Sequence, residues 1–325
     1  MHVLIIKTSS MGDILHTLPA LTDAMHELPG IRFDWVVEEH FAQIPYWHPS
    51  VDKVIPVAIR RWRKNWFSNK NRKERLYFKN ELQSREYDAV IDAQGLIKSA
   101  FLITRLSRGE KHGQNRHSIR EPLATWWYDK HHHINKQQHA VERIREQFAK
   151  SLDYKKPKIE GNYTILDYFI SSLSDHVEQY LIFLHSTTRT NKHWPESHWR
   201  ELIEKIQPTF LQIKLPWGTE HEYKRALRLT QGFKNVEVLP RLTVEQLAKQ
   251  LIGAHAVVSV DTGLSHLTAA LNRPNITLYG PTNPKRIGVY GKNQIILISP
   301  SCILKDLKVD YVLSHLKSII ADNSL

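Results

Sequence analysis

The stretch Ala256 to Pro284 reads AVVSVDTGLSHLTAALNRPNITLYGPTNP. Val257 to Val260 is a short apolar, β-branched run of the kind that forms a buried strand. After Asp261, Thr262 and Gly263 the period changes. Leu264, Leu267, Thr268 and Leu271 recur at helical spacing, Arg273-Pro274 closes the helix, and a second strand spans Asn275 to Tyr279. Strand, turn, helix and strand in one unbroken segment make the repeating unit of a parallel α/β sheet.

A strand that turns into a helix through Asp-Thr-Gly aims unpaired backbone N–H groups, at the positive end of the helix dipole, into the space above the sheet. That is a site for an anion. Gly263 has no side chain to keep a phosphate oxygen from those amides, and His266, one turn on, can point a ring nitrogen at the same place. A plainer reading stands beside it: Asp261 or Thr262 caps the helix and His266 packs in a core.

Working outward, the 325 residues suffice for two ordinary domains. A hydrophobic share of 41% with nine Trp implies a substantial core and argues against disorder. The single cysteine, Cys302, excludes an intramolecular disulfide and fits a reducing compartment. The apolar run after Met1 is too short for a signal peptide, and no window approaches the ~20 apolar residues that span a bilayer. A soluble or peripheral protein is therefore expected. The formal charge of +12 points to an anionic partner: nucleic acid, an acidic membrane surface or a phosphorylated substrate.

The N-terminal half begins with a similar unit. His2 to Lys7 is a strand, Thr8 to Asp13 a loop, and Ile14, Leu15, Leu18, Leu21 and Met25 form the stripe of a helix. Its single Gly is not the Gly-x-Gly-x-x-Gly of a dinucleotide fold, which disfavours a nicotinamide or flavin cofactor. Asp13 stands where that helix begins, which suits either a cap or a carboxylate base held ionised by the dipole. Strands are expected at Phe33 to Glu38, Lys53 to Val57 and Asp88 to Asp92. Arg60, Arg61, Arg63 and Lys64 cluster with Trp62 just past the end of a strand, a position that favours a binding loop. The run Arg72 to Arg75 reads as a solvated helix face. Asp92 to Ser99 is another strand-to-helix turn. Residues 111–139 add Arg116, Arg120 and the triplet His131 to His133. Consecutive side chains diverge and rarely share one metal ion, so this region reads as basic surface.

Ala140 to Leu152 forms an amphipathic helix, and Asp153 to Tyr163 looks like a linker. The second half then restarts the alternation with a strand at Tyr180 to Leu184, a polar loop from His185 to Trp194, and a helix from Pro195 to Ile206. Ile213 to Trp217 and Val236 to Leu239 are further strands, Thr243 to Ile252 a helix, and Val309 to Ile320 a final helix. Thr219 and Glu222 have the spacing of a capping box; the other reading of Glu222 is a contact to a ligand hydroxyl.

Two α/β halves, each with polar loops after its strands, have the plan of the GT-B glycosyltransferases: two Rossmann-like domains facing a central cleft. At Lys7 to Pro19 (KTSSMGDILHTLP), Lys192 to Pro195 (KHWP) and Asp261 to Ala270 (DTGLSHLTAA) the sequence resembles the ADP-heptose:lipopolysaccharide heptosyltransferases of glycosyltransferase family 9. The likeness runs through nearly the whole chain, includes Arg60 to Lys64, and is weakest in residues 68–84, 155–178 and after 299. Within the family it is nearest to the members that add the first inner-core heptose to Kdo2-lipid A.

That resemblance implies an acceptor-binding domain over residues 1–160, an ADP-heptose-binding domain over 161–308, and a terminal helix, 309–325, packing back on the first domain. The diphosphate of ADP-L-glycero-β-D-manno-heptose would lie at Thr187, Thr188, Lys192 and the Thr262-Gly263 amides, with His266 beside them. Lys192 at ~4 Å from a phosphate charge gains roughly 4 kcal/mol per pair at an effective dielectric of 20, before desolvation. That attraction grows as ADP leaves, so Lys192 would serve the transition state as well as binding. Asp261 would accept from the heptose, Glu222 from nucleoside hydroxyls, and Leu242 would pack near the adenosine. Asp13 would be the base that deprotonates the acceptor hydroxyl, with Ser10 next to it. Arg60, Arg61, Arg63, Lys64 and Arg120 would pair with acceptor carboxylates and phosphates. No cofactor or metal is implied, there being no Asp-x-Asp motif. Basic charge would hold the enzyme at the cytoplasmic face of an anionic inner membrane. A second acceptor, as in the heptosyltransferases acting one step later, is the alternative. A nucleic-acid-binding protein is weaker, because no DNA- or RNA-binding motif accompanies the charge.

Overall fold

The computed structural model describes residues 1–170, 179–209 and 211–322. The chain divides into two units, Met1–Tyr168 and Phe169–Leu325. In the first, the apolar run His2–Ile6 is β1, and the stripe after it becomes two helices, α1 (Met11–Leu15) and α2 (Leu18–Glu27), where its period suggests one. Pro19 explains the break: it has no N–H to donate to the carbonyl of Leu15. Ile14, Leu15, Leu18 and Leu21 nevertheless stay buried across it.

Then follow β2 (Arg32–Glu38), β3 (Val51–Val57), α3 (Ile59–Trp62), α4 (Asn69–Leu82), β4 (Ala89–Asp92), α5 (Ile97–Leu102), β5 (Lys111–Gln114), β6 (Lys130–His132) and α6 (Ala140–Ser151). The six strands form one parallel sheet in the order β3-β2-β1-β4-β5-β6. β5 and β6 are of four and three residues and lie in the stretch whose composition reads as basic surface. They carry no apolar run, so the pairing of β5 to β4 and of β6 to β5, not side-chain pattern, makes them strands.

The segment that reads as a linker belongs to this unit. Arg145 on α6 is buried, holds Asp23 through two nitrogens at 2.7 and 3.1 Å, and donates to the carbonyl of Ile159 at 2.9 Å. A Cβ on Gly161 would meet Pro19 and Arg145 at about 3 Å. The expected boundary after residue 160 therefore moves to Tyr168, inside α7 (Leu166–Ile170).

The second unit contains β7 (Tyr180–Leu184), α8 (Glu196–Ile206), β8 (Gln212–Leu215), α9 (Glu220–Thr230), β9 (Val236–Val238), α10 (Val244–Gly253), β10 (Ala256–Val260), α11 (Gly263–Ala270), β11 (Asn275–Tyr279), α12 (Pro284–Ile287), β12 (Gln294–Ile298) and α13 (Val309–Asp322). Its parallel sheet runs β12-β11-β10-β7-β8-β9. Read from β9, this is the same winding as in the first unit, with the first strand of each half beside the fourth. Val309, Val312, Leu313 and Leu316 of α13 enter the core formed by β7, β8, β10 and α8. Its apolar stripe thus completes the second unit's own core. The last three residues of that segment lie outside the described ones.

Candidate functional site

A doubly wound sheet leaves a crevice where neighbouring strands send their connections in opposite directions, past their carboxyl ends. In the first unit that place lies between β1 and β4, and in the second between β7 and β10. Most of the residues singled out above stand on the loops at these two points.

In the first unit, the loop after β1 is clamped by Gln94, whose Oε1 accepts from Thr8 N (2.8 Å), Thr8 Oγ1 (3.2 Å) and Ser9 N (3.1 Å). Gln94 is held in turn by Asp92, whose buried carboxylate accepts from the amides of Gln94 and Gly95, both at 2.9 Å, and from Ser99, Thr104 and Tyr128. Burial raises the Asp92 carboxyl above its ordinary range, against the pull of those donors. Gly95 has φ +65°, the left-handed conformation this tight turn requires. Lys7, just after β1, donates to the Ala93 carbonyl at 2.9 Å, and burial lowers its ammonium below the usual value.

Asp13 sits at the third position of α1, where Oδ2 accepts from Ser10 N and Ser10 Oγ, both at 2.8 Å. The helix-cap reading of Asp13 is therefore realised in this geometry. Asp13 also lines a cavity of about 760 Å³ together with Ser9, Ser10, Gln94, Lys98, Phe101, Arg120 and Glu121. Ser10, Asp13 and Arg120 thus come together. Gln94, Lys98 and Glu121 were missed as site residues; their signal was the Asp92 to Ser99 strand-to-helix turn, which places Gln94 and Lys98 at this end of the sheet.

Arg60, Arg61, Arg63 and Lys64 do not line that cavity. They are exposed on α3 and the 3₁₀ turn Arg63–Asn65, so the expected binding loop is helical. Trp62 fixes it by burying its ring and donating Nε1–H to Glu74 at 2.8 Å. Arg61 is not presented as expected: Glu39, at 3.0 Å, and Glu74, at 2.9 Å, hold its guanidinium. Two opposed carboxylates at contact distance outcompete solvent for a planar cation.

In the second unit, the loop after β7 is held at both ends. His193 Nε2 lies 2.7 Å from the Thr187 carbonyl, a contact it makes as a donor, and buried Trp194 donates to Leu307 O at 3.0 Å. Lys192, between these anchors and Thr187, is directed to Asp261 at the end of β10, Nζ to Oδ2 2.6 Å. Their side chains are 16% and 9% exposed. Asp261 thus neither caps α11 nor stands alone: Thr262 is the cap residue, and Ser265 Oγ donates to its carbonyl at 2.6 Å. Gly263 opens α11 two residues after Asp261, so its amide has no carbonyl one turn back within the helix to donate to. His266 is buried one turn on, Thr187 half-buried and Thr188 exposed.

Glu222 is engaged as the capping box predicts, accepting through Oε2 from Gly218 N (2.8 Å) and Thr219 N (2.9 Å). Leu242 is half-buried immediately before Thr243, the cap of α10. No cluster of three or more His, Cys, Asp or Glu able to hold a metal ion occurs among the described residues. His131 Nε2 lies 3.0 Å from the Thr125 carbonyl, whereas His132 Nε2 meets His112 Nδ1 at 3.1 Å.

Comparison with known proteins agrees with this layout. The family model described as "Glycosyltransferase family 9 (heptosyltransferase)" matches residues 75–315. Lipopolysaccharide heptosyltransferase 1 of Escherichia coli (strain K12) is 60% identical over 319 residues, covering 98% of this chain and 100% of that one. The solved structure of E. coli heptosyltransferase WaaC with ADP is similar at a TM-score of 0.96 and 59% identity, covering 98% of this chain and 100% of that one. The same enzyme with ADP-2-deoxy-2-fluoro heptose gives a TM-score of 0.92 at 59% identity, with coverages of 98% and 99%.

Proposed function

The chain belongs to glycosyltransferase family 9, the heptosyltransferases, and from that premise we propose that it moves L-glycero-D-manno-heptose from ADP-heptose to a Kdo hydroxyl of Kdo2-lipid A, with inversion. It is a glycosyltransferase of GT-B fold acting in the synthesis of the lipopolysaccharide core. The finer roles follow from the residues. The observation that carries them is the cavity at the first sheet's switch point, where a carboxylate, Asp13, is joined by Ser10, Lys98 and Arg120.

Asp13 is the base. Its Oδ2 is oriented by the two Ser10 donors, which fixes the carboxylate with respect to the cavity. Deprotonation of the acceptor hydroxyl as it attacks the anomeric carbon from the face opposite ADP converts the β-linked donor to an α-glycoside in one displacement. Arg120 and Lys98 supply positive charge for the acceptor's carboxylates and phosphates. Arg60, Arg63 and Lys64, exposed past the end of β3, extend that supply, and Arg61 joins them only by leaving Glu39 and Glu74.

The diphosphate is taken by the α11 amides, Thr187, Thr188, Lys192 and His266, with Glu222 and Leu242 toward the nucleoside side. Lys192 then exchanges Asp261 for phosphate, and Asp261 turns to sugar hydroxyls. The growing charge on the departing ADP is stabilised by Lys192 and the helix end, so transfer proceeds without a divalent ion. Basic charge holds the enzyme peripherally at the cytoplasmic face of the anionic inner membrane.

The test is heptose transfer from ADP-heptose to de-acylated Kdo2-lipid A in EDTA, followed by mass spectrometry, with Asp13→Asn alongside. The amide can still accept from Ser10 and so keeps the cap while losing the base. We expect one added heptose from the parent protein, and turnover at least ~10²-fold lower in the variant with ADP binding retained. Undiminished turnover would remove Asp13 as base, and transfer only to an already heptosylated acceptor would move the enzyme one step later in the core.

A further inference from the structure

The positive charge of this chain is concentrated. Between residues 60 and 79 stand nine Lys and Arg against one carboxylate, Glu74. Glu74 is engaged by Arg61 and Trp62, so its charge is matched by Arg61 and not by the cations of α4. Four of the nine cations belong to the Arg60 to Lys64 cluster. The other five, Lys70, Arg72, Lys73, Arg75 and Lys79, lie on α4 and have no part in the chemistry above.

α4 buries Asn71, Phe78 and Leu82 and turns a different set outward. Lys70, Lys73 and Tyr77 share one exposed strip at i, i+3 and i+7; Arg72, Leu76 and Lys79 share the next at i, i+4 and i+7. Tyr77 is 69% exposed and Leu76 59%, and Phe67, in the turn leading into the helix, is 94% exposed. Large apolar side chains set out among lysines are the reverse of a solvated helix face, which would hide them. Beneath them Trp66 lies under the Arg75 guanidinium, 4.1 Å from its ring centroid. Trp62, Trp66, Leu76, Phe78, Leu102 and the stems of Arg72, Arg75 and Lys79 line an apolar groove of about 370 Å³. Leu102 also lines the Asp13 cavity, so the groove adjoins the place where the acceptor is taken.

We propose that Phe67 and the outer face of α4 are the surface by which the protein docks on an anionic lipid bilayer, with Phe67, Leu76 and Tyr77 entering the headgroup boundary and Lys70, Arg72, Lys73 and Lys79 meeting lipid phosphates. The chemistry matches on both counts: a cationic helix with aromatic and aliphatic side chains on the same face suits an interface that is anionic outside and apolar beneath. A phosphate backbone would satisfy the cations but leave three apolar side chains in water. The placement beside the Asp13 cavity lets a membrane-held acceptor reach the base without leaving the bilayer. This surface rests on the reading of the acceptor as a lipid.

The experiment is sedimentation of the full chain with phosphatidylglycerol vesicles and with phosphatidylcholine vesicles at low and high salt. It compares the parent protein, Phe67→Ser/Tyr77→Ser, Lys70→Glu/Lys73→Glu and, as an equal-charge control off this face, Lys155→Glu/Lys158→Glu. Transfer to a de-acylated, water-soluble acceptor is assayed on each. We expect salt-sensitive binding to phosphatidylglycerol only, about tenfold or more weaker in both α4-face variants and changed less than threefold in the control, with soluble-acceptor transfer unchanged throughout. Equal losses in control and charge variant would reduce the effect to net charge and overturn the docking face. So would vesicle binding by the α4-face variants that matches the parent, or parent binding to duplex DNA but not to vesicles. Failure of transfer by the parent protein would instead strike the heptosyltransferase reading, and the two failures are read in separate assays.

Discussion

Lys192 and Asp261 show most directly how one residue's role depends on another's. A lysine and an aspartate 2.6 Å apart, both mostly withdrawn from water, neutralise each other in the absence of a diphosphate. Bringing ADP in sets a choice: Lys192 is drawn to phosphate, and the released carboxylate must find hydroxyl donors or repel the ligand. Lys192→Ala therefore does two kinds of harm, losing a cation and exposing the diphosphate to an uncompensated Asp261. We expect Lys192→Ala to weaken ADP binding by about 10²-fold, and addition of Asp261→Asn to it to restore several-fold of that loss. Calorimetric titration of the four proteins checks this, and losses that simply add would mean that the pair is not coupled. The sequence made both residues candidates but not their pairing, since Lys192 and Asp261 are 69 positions apart and only the strand order β7-β10 brings their loops together. Asp13 was legible in both of its readings at once, because the cap and the proposed base use one carboxylate.

At the scale of elements, His48 is a buried titratable group that ties two elements together away from the site. It lies in the connection between β2 and β3, buried, with Nε2 3.0 Å from Thr22 Oγ1 on α2 and Nδ1 accepting from the Ser50 amide at 3.3 Å. Burial lowers its pKa to about 3. The folded value is below the unfolded one near 6.5, so the neutral ring's contribution is complete above pH 6.5 and is lost as pH falls from there toward 3. Stability of the first unit should drop by about 1.4 kcal/mol per pH unit over that window from this group alone. His48→Gln should flatten the urea-midpoint profile between pH 6 and 4; an unchanged slope would assign acid sensitivity elsewhere. The same scale shows what pattern reading reaches. β1, β2, β7, β10 and β11 are buried apolar runs and were read within a residue or so. β5 and β6 escaped because KHGQ and KHH carry no strand pattern of their own. The linker reading failed for a related reason: polar, Pro- and Gly-bearing residues 153–163 look loose until Arg145, buried and distant in sequence, ties them to α2 and α6.

For the whole molecule, the strongest consequence of the sequence is that one winding occurs twice, each time with its own core. The sheet β3-β2-β1-β4-β5-β6 and the sheet β12-β11-β10-β7-β8-β9 belong to separate units, and α13 closes the second core with residues of the second unit. Two cores of this kind are two candidate cooperative units for unfolding. Every residue assigned to the donor lies in the second: Thr187, Thr188, Lys192, Glu222, Leu242, Asp261, Thr262, Gly263 and His266 all follow Phe169. A ligand that binds one folded unit stabilises that unit by mass action, about 2.7 kcal/mol at a hundred times its dissociation constant. For a domain of this size that corresponds to a shift of roughly 5 to 10 °C in its transition. Scanning calorimetry should therefore resolve two transitions, with saturating ADP moving one upward and leaving the other in place. Lys192→Ala should shrink that displacement, and Asp13→Asn should not. A single transition that moves as a whole would show that the units unfold together, and a displacement abolished by Asp13→Asn would place donor-binding residues in the first unit, contrary to the division of labour that the two switch points suggest.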